Sequence, residues 1–470
     1  MKDKHRLCVW LAAAAALVLG AAAVGLGGLN QDEGWYLYAA NLVAEGQMPY
    51  RDFAFTQGPV MPYVYSLFAG IWKAHGILGA RIFNLSIGFL GIGFCCLLAR
   101  RLGGSALAAF LLLACNLYHL YFLAIPKTYA LAALAIAIAC WCLTFEHWAA
   151  FFCAGFLLAV GAGVRISIGF MLPFVGIALL VTDKSRLKSN TVIFAAGGVV
   201  ALAAVYGPFL IDPAARAGLF AAQAYHAARS GFDPAMAAGS LSRLVRWYLP
   251  VAVLAAIFVS RPSGGKAKAI FAAAFGVMAI QWCAPFPYED YQVPLMGVVA
   301  AVASTAIAKE RLPVLLLAVF ALAFGNPLLE KWAVDGQDRF WPMKKDKPEL
   351  ALLKDAAHRI EALDPGGKTL LTQDLYLAIE TGRKVPKGLE MGPFSILSHD
   401  EWIALLELSN CRVAAMSGYA FAIEPPKCDR RDMAEQLEFW RILKRRYRQA
   451  GYIGRFGQNA TPLLILELID

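Results

Sequence analysis

Long apolar segments separated by short polar turns make up most of the first 330 residues. The first segment covers residues 7–29 without a charge, which is long enough to cross a membrane core of about 30 Å. Ten further apolar segments follow, so the pattern predicts about eleven transmembrane helices. The later segments are residues 80–99, 105–123, 128–145, 148–163, 166–182, 191–211, 244–260, 269–283, 291–308 and 312–328.

The last 140 residues or so have a different pattern, with shorter and more polar periods. Helical spacing of apolar positions predicts a helix over residues 348–362 and a basic amphipathic helix over residues 429–450. Short runs typical of β-structure predict strands at residues 368–372, 412–416 and 461–468. We therefore predict a polytopic α-helical membrane domain, residues 1–330, followed by a small soluble α/β domain, residues 331–470.

Composition and charge agree with this division. The chain is 59% hydrophobic and 16% charged, with a mean hydropathy of +0.56, whereas a soluble domain has about 25% charged residues. Residues 331–470 hold 21 Lys or Arg and 20 Asp or Glu, whereas residues 1–330 hold 22 against 13. A basic excess is typical of cytoplasmic loops, and no basic stripe indicates nucleic-acid binding. Lys2, Lys4 and Arg6 before the first segment, and the two or three Lys or Arg in four of the five connections on the same side, predict a cytoplasmic N-terminus and a C-terminal domain outside. We expect a multi-pass protein of the plasma (inner) membrane with that domain in the periplasm.

The stretch 30–65, NQDEGWYLYAANLVAEGQMPYRDFAFTQGPVMPYVY, concentrates acidic and aromatic residues directly after the first apolar segment. Asn30 or Asp32 can cap a helix that continues to about Glu45 and stops at Gly46. One side of this helix is apolar, so we expect it to lie along the membrane surface. The stretch holds four of the 13 acids of residues 1–330, namely Asp32, Glu33, Glu45 and Asp52.

Asp32 and two basic residues are the first candidates for chemistry. A carboxylate at a helix N-terminus is kept ionised by the helix dipole, which suits a base, although Asp32 is equally suited to a purely structural cap. Arg165 follows a glycine-rich apolar run and either reaches to the membrane interface or binds a phosphate. Lys127 is a second cation on the same predicted outer side.

The order of these parts resembles the C-type superfamily of polyprenyl-phosphate-dependent glycosyltransferases. The stretch 30–65 contains the acidic pair, an aromatic helix, the turn GQMPYRDF and the tripeptide QGP. GAGVRISIGFMLP and PYEDYQVPL, later in the chain, are similar to segments of its protein-mannosyltransferase and lipid A aminoarabinose-transferase branch. The lipid A branch has a lysine where this chain has Gly58, which is a departure from the family pattern.

The resemblance implies an inverting transfer of a sugar from a polyprenyl-phosphate donor to a lipid, glycan or protein acceptor at the outer membrane face. It implies that Asp32 is the catalytic base and that Glu33, the second acid of the catalytic pair, supports the site. No spacing typical of metal ligands is present, so no cofactor is required by this reasoning, and the use of a divalent metal is left open. The residues expected to bind substrate are Tyr36, Asp52, Gln57, Lys127, Arg165 and Tyr288.

Two other functions remain open at this stage, a transporter or lipid flippase with an outer domain, and a non-catalytic membrane assembly protein. A transporter is expected to carry charged residues or broken helices within its spans. The predicted spans are nearly free of charge, and the acids concentrate at one face, which favours an enzyme.

Cys411 and Cys428 are the two cysteines of residues 331–470. If the C-terminal domain lies outside the cytoplasm, an oxidising compartment allows them to form a disulfide. Two unpaired thiols are the alternative.

Overall fold

Helices dominate the computed structural model, which describes residues 2–182, 187–227, 231–261, 264–307, 314–326, 347–395, 397–418, 433–458 and 460–469. The part before residue 330 contains sixteen α-helices in these ranges. They are α1 Lys2–Leu26, α2 Gln31–Ala44, α3 Val60–Ser66, α4 Ala69–Arg101, α5 Ala106–Ala114, α6 Leu117–Ala124, α7 Thr128–Cys142, α8 Trp148–Val164, α9 Met171–Thr182, α10 Leu187–Ile211, α11 Pro213–Ala227, α12 Pro234–Trp247, α13 Leu249–Ser260, α14 Gly265–Trp282, α15 Val293–Ala303 and α16 Val314–Phe324.

The apolar helices place the chain in a membrane, but the predicted count of eleven spans is not confirmed. Among the described residues, three helices are long and apolar enough to cross a membrane, Val9–Leu26, Ala69–Arg101 and Ser189–Ile211. Two bent helix pairs raise the number to five. Several predicted spans are shorter helices; α7, for example, has 15 residues, fewer than the roughly 20 that a perpendicular span needs.

Two predicted spans are broken. The segment 105–123 consists of α5 and α6, which meet at 73° across Cys115 and Asn116. The segment 244–260 includes the end of α12 and all of α13, which meet at 92°. Pro250 stands at the start of α13, where it cannot supply a backbone N–H to the preceding turn, so the chain changes direction within this predicted span.

Helix α2 begins and ends as predicted. The Asn30 side chain accepts a hydrogen bond from the Asp32 backbone N–H at 3.0 Å, and the Glu33 carboxylate accepts one from the Asn30 N–H at 2.9 Å, forming a capping box. Glu45 caps the C-terminus, and Gly46 has a φ of +87°, which favours glycine.

The predicted surface position of α2 is wrong, because both of its sides are covered. Trp35, Tyr36, Leu37 and Tyr38 are four consecutive residues, and each is at most 4% exposed. Such a run points to every side of a helix, so α2 packs between the membrane helices and the C-terminal residues.

The C-terminal part combines helices with one small sheet. It contains α17 Glu349–Leu363, α18 Leu375–Thr381, α19 His399–Leu408 and α20 Met433–Arg446. Strands β1 Val413–Ser417, β2 Tyr447–Phe456 and β3 Thr461–Leu468 form an antiparallel sheet in the order β1-β3-β2, with Val413 opposite Glu467 and Phe456 opposite Thr461.

The predictions for this part are confirmed for β1 and β3 and corrected in two places. The segment 368–372 forms isolated bridges, Thr369 to Lys384 and Leu371 to Ala414, instead of a strand. The predicted helix 429–450 ends at Arg446, because Tyr447 begins β2 and pairs with Leu468. The predicted domain boundary near residue 330 lies outside the described residues, as does Cys428. Cys411 is buried as a free thiol, so its half of the proposed disulfide is not borne out.

The C-terminal residues pack directly on α2. The Gln31 side-chain amide donates to the Asp374 carboxylate at 2.8 Å and to the Tyr376 hydroxyl at 3.1 Å. At the other end of the helix, the Val385 N–H donates to the Tyr38 hydroxyl at 3.0 Å. These contacts hold α2 in a fixed position relative to the membrane helices.

Candidate functional site

Asp32 lies in the first turn of α2 with both carboxylate oxygens in polar contacts. The Trp35 indole N–H donates to Oδ1 at 3.1 Å, and Oδ2 lies 2.8 Å from Nζ of Lys127. The Asp32 side chain is 20% exposed, so it is open to a ligand from one side. The capping box of α2 fixes the backbone that carries it.

Lys127 joins this carboxylate to a second one. It directly precedes α7, and its side chain is 8% exposed. Its ammonium nitrogen lies 2.9 Å from Oδ2 of Asp290, which also accepts a hydrogen bond from the Tyr129 hydroxyl at 2.9 Å. Asp290 belongs to the 3-10 helix Glu289–Gln292, so three separate segments of the chain meet at one ammonium group.

Arg165 adds a second cation beside this cluster. It follows α8, and its guanidinium lies 5.1 Å from the ring centroid of Tyr129 and 4.4 Å from that of Tyr291. Its Nε is buried without a hydrogen-bond partner, and no ion pair of Arg165 occurs among the described residues. A guanidinium held by aromatic faces, with donors unused, is suited to bind an anion.

Two glycines account for the position of Arg165 and for the presence of glycine, instead of lysine, at position 58. A Cβ at Gly58 would lie 2.1 Å from the carbonyl oxygen of Gly163, and a Cβ at Gly163 would lie 2.5 Å from Val60. We call residues 30–65 the acidic loop. Its turn at residues 57–59 therefore packs backbone against backbone on the end of α8. A lysine at position 58, as in the lipid A branch, does not fit this packing.

Glu33 faces away from Asp32 and is fully buried. Its carboxylate accepts two hydrogen bonds from the guanidinium of Arg81, from Nε and Nη2, each at 2.6 Å. Arg81 also donates to the carbonyls of Val24, in the last turn of α1, and of Gly27 and Gly28 directly after it. Glu33 therefore has a geometry suited to holding the loop, with neither oxygen directed toward the Lys127 cluster.

Tyr36 lies close to the cluster, and Tyr288 lies at its edge. The ring of Tyr36 stacks on Trp35 with centroids 4.0 Å apart. Burial raises the pKa of the Tyr36 hydroxyl well above its usual value, and the charge of Asp32 acts in the same direction. Tyr288 is 42% exposed, and its ring meets that of Tyr291 edge-on at 5.6 Å.

The structure gives Asp52 and Gln57 positions in a neighbouring turn. The Asp52 carboxylate accepts hydrogen bonds from the Met48 backbone N–H at 2.7 Å and from Arg51 at 2.9 Å. The Gln57 carbonyl accepts a hydrogen bond from the Tyr50 hydroxyl. These contacts shape the turn, and none of them joins either residue to Lys127 or Arg165.

Several residues of the site were missed by the reasoning from sequence. Arg81, Tyr129, Asp290 and Tyr291 all form the contacts described above. Arg81 had a usable signal, since it is a charged residue at the edge of an apolar segment, and such residues tend to have a specific partner. Asp290 and Tyr291 lie within the recognised segment PYEDYQVPL, where Tyr288 was chosen instead.

No cluster of three or more His, Cys, Asp or Glu side chains suited to a metal ion occurs in the described ranges. The chemistry that the described side chains offer is that of one partly exposed carboxylate next to two cations.

No protein-family model matches the sequence, and no curated protein matches it. Solved structures are similar along nearly the whole chain. ArnT from Cupriavidus metallidurans in the apo state is 16% identical, with a TM-score of 0.62 and 97% of each chain covered. The same protein bound to undecaprenyl phosphate has a TM-score of 0.63 over the same share of each chain.

The arabinofuranosyltransferase AftD from Mycobacteria is a further similar structure. It is 14% identical, with a TM-score of 0.51, and the match covers 99% of this chain and 40% of AftD. The resemblance to C-type glycosyltransferases is therefore confirmed at the level of the fold.

Proposed function

We propose that this protein transfers a sugar from a polyprenyl-phosphate donor to a hydroxyl acceptor, with inversion at the anomeric carbon. The observation that carries the proposal is the partly exposed carboxylate of Asp32 next to Lys127 and to Arg165, whose Nε is unpartnered. The reaction needs one base for the acceptor and cations for the phosphate that leaves, and these three side chains supply both.

Asp32 accepts the proton of the acceptor hydroxyl while the acceptor oxygen attacks the anomeric carbon. The bond between that carbon and the phosphate oxygen breaks, and its electron pair leaves with the polyprenyl phosphate. Arg165 and Lys127 stabilise the negative charge on the phosphate, so no strong general acid is required. A single displacement of this kind inverts the configuration of the sugar.

The fold supports this proposal, because ArnT shares it and has been observed with undecaprenyl phosphate bound. We place the reaction at the outer face of the plasma membrane, with the N-terminus in the cytoplasm and the C-terminal domain in the periplasm. Lys2, Lys4 and Arg6, directly before the first apolar segment, support a cytoplasmic N-terminus. The acceptor is a lipid, a glycan or a protein.

The test is sugar transfer from radiolabelled polyprenyl-phosphate sugars by the purified protein in detergent. We expect Asp32→Asn to lower turnover by about 10²–10⁴-fold, the usual contribution of a general base, while binding of undecaprenyl phosphate is retained. Glu45→Gln is the matched control, because Glu45 lies at the opposite end of α2 and pairs with the exposed Lys384. Turnover by Asp32→Asn within a few-fold of wild type would exclude Asp32 as the base.

The same preparation separates the enzyme from a transporter or flippase. Reconstituted vesicles that move the labelled donor between leaflets, without forming a glycosylated product, would contradict the proposed transfer.

A further inference from the structure

The carboxylate of Asp290 has no role in the proposed transfer as described so far, although it lies within the charged cluster. Its side chain is 11% exposed, and its Oδ2 receives both the Lys127 ammonium and the Tyr129 hydroxyl at 2.9 Å. The neighbouring Glu289 pairs instead with Arg243 at 3.1 Å. Two adjacent acids on one short helix thus face different partners.

The position of the Lys127 ammonium depends on both of its carboxylates. A lysine side chain is a flexible four-carbon stem, and a nearly buried ammonium is stable when anions surround it. Oδ2 of Asp32 lies 2.8 Å away and Oδ2 of Asp290 lies 2.9 Å away, so the two anions share one charge almost equally. The ring of Tyr129, with its centroid 4.6 Å from Nζ, lies alongside the stem.

We propose that Asp290 is a positioning residue, which acts through Lys127 and rests on the proposed function. Because the Lys127 ammonium also forms an ion pair with Asp290, it does not pair with Asp32 alone. Asp32 is then paired less tightly with the ammonium and remains available to the acceptor hydroxyl. The shared ammonium also stays at a fixed place where the leaving phosphate can meet it.

This role predicts that Asp290→Asn lowers kcat without raising the donor KM. The kcat falls by about 10-fold, because Lys127 then neutralises Asp32 more fully; contacting residues couple by amounts of this order. The donor KM stays unchanged or decreases, because one negative charge near the phosphate has been removed. A direct contact between Asp290 and the donor would instead raise the donor KM.

The dependence on Lys127 gives a second readout. In a Lys127→Met background the ammonium is absent, so Asp290→Asn should lower kcat no further. A persistent 10-fold loss in that background would show that Asp290 acts by another route. Asp290→Glu keeps the charge and should recover part of the lost kcat.

The experiment compares wild type, Asp290→Asn, Asp290→Glu and the control Glu289→Gln in the transfer assay. If Asp290→Asn does not fold, Tyr129→Phe takes its place, since it removes the hydroxyl that fixes Asp290 and should also lower kcat without raising the donor KM. If the test variant and Glu289→Gln have equal kcat values, the positioning role is overturned and the proposed function still stands. Absence of transfer by wild type from every polyprenyl-phosphate sugar would overturn the proposed function, and the positioning role with it.

Discussion

Replacing Glu33 by glutamine is expected to loosen the acidic loop without touching the base. The substitution keeps the shape of the side chain but removes the negative charge opposite Arg81. Both carboxylate oxygens now accept from the guanidinium at 2.6 Å, so an amide nitrogen in either place would put a donor against a donor. Arg81 would keep its three backbone carbonyls and lose its only counter-charge among its described contacts.

The size of the effect follows from the burial of the pair. Glu33 and Arg81 are both 0% exposed, and removal of one partner from a buried ion pair costs about 3–5 kcal/mol. Since every 1.4 kcal/mol is a factor of ten, the loop should open about a hundred-fold to a few thousand-fold more often. Amide hydrogen exchange of α2, followed by mass spectrometry of the detergent-solubilised protein, measures this opening directly.

Two further variants sharpen the test. Glu45→Gln breaks a pair whose lysine is 61% exposed, and such surface pairs contribute about 0–1 kcal/mol, so exchange of α2 should change little. The double variant Glu33→Gln with Arg81→Met leaves no buried charge and should exchange more slowly than Glu33→Gln alone. If α2 of Glu33→Gln exchanges at the wild-type rate, the pair does not hold the loop and the reasoning fails.

Three other substitutions or measurements test the phosphate side of the site and the C-terminal domain. Arg165→Ala should weaken binding of undecaprenyl phosphate by about 10- to 100-fold, which is the usual contribution of hydrogen bonds to a charged group. Arg165→Lys should recover part of this affinity, and full recovery by lysine would contradict a contact that needs the guanidinium. Gly58→Ala should weaken the same binding by displacing Gly163 and with it Arg165, whereas Gly70→Ala, where a Cβ meets nothing within 4 Å, is the control. Cys411 is a free, buried thiol in the structure, so alkylation of the unfolded, unreduced chain followed by mass spectrometry should label it, and a linked Cys411–Cys428 peptide pair would contradict this expectation.

Features that depend on neighbours in the chain could be predicted from sequence. The cap at Asn30 and the stop at Gly46 follow from local hydrogen bonding and from the φ of +87° that glycine adopts readily. Strand β3 follows from a short apolar run, residues 463–466, within eight positions. Such elements need no knowledge of what packs against them.

Features that depend on distant partners could not be predicted in this way. Helix α2 has a pattern that fits a membrane surface, yet the C-terminal residues cover its exposed side through Asp374 and Tyr376. The sequence does not distinguish Asp290 from the other acids, because its partner Lys127 lies 163 residues earlier. The close contact of Gly58 with Gly163 leaves no signal beyond two small residues in a chain rich in glycine.

The contacts of the acidic loop also set an order for its assembly. The loop is made before its distant partners: Arg81 is made 48 residues after Glu33, and Asp374 is made 343 residues after Gln31. Domains form as the chain is synthesised from its N-terminus, so the newly made loop can form its local Arg51–Asp52 pair before it meets Arg81 or Asp374. Each later segment then adds one support, and the C-terminal residues add the last. A chain that stops before residue 374 therefore carries Asp32 on a helix α2 that lacks its support from Asp374 and Tyr376.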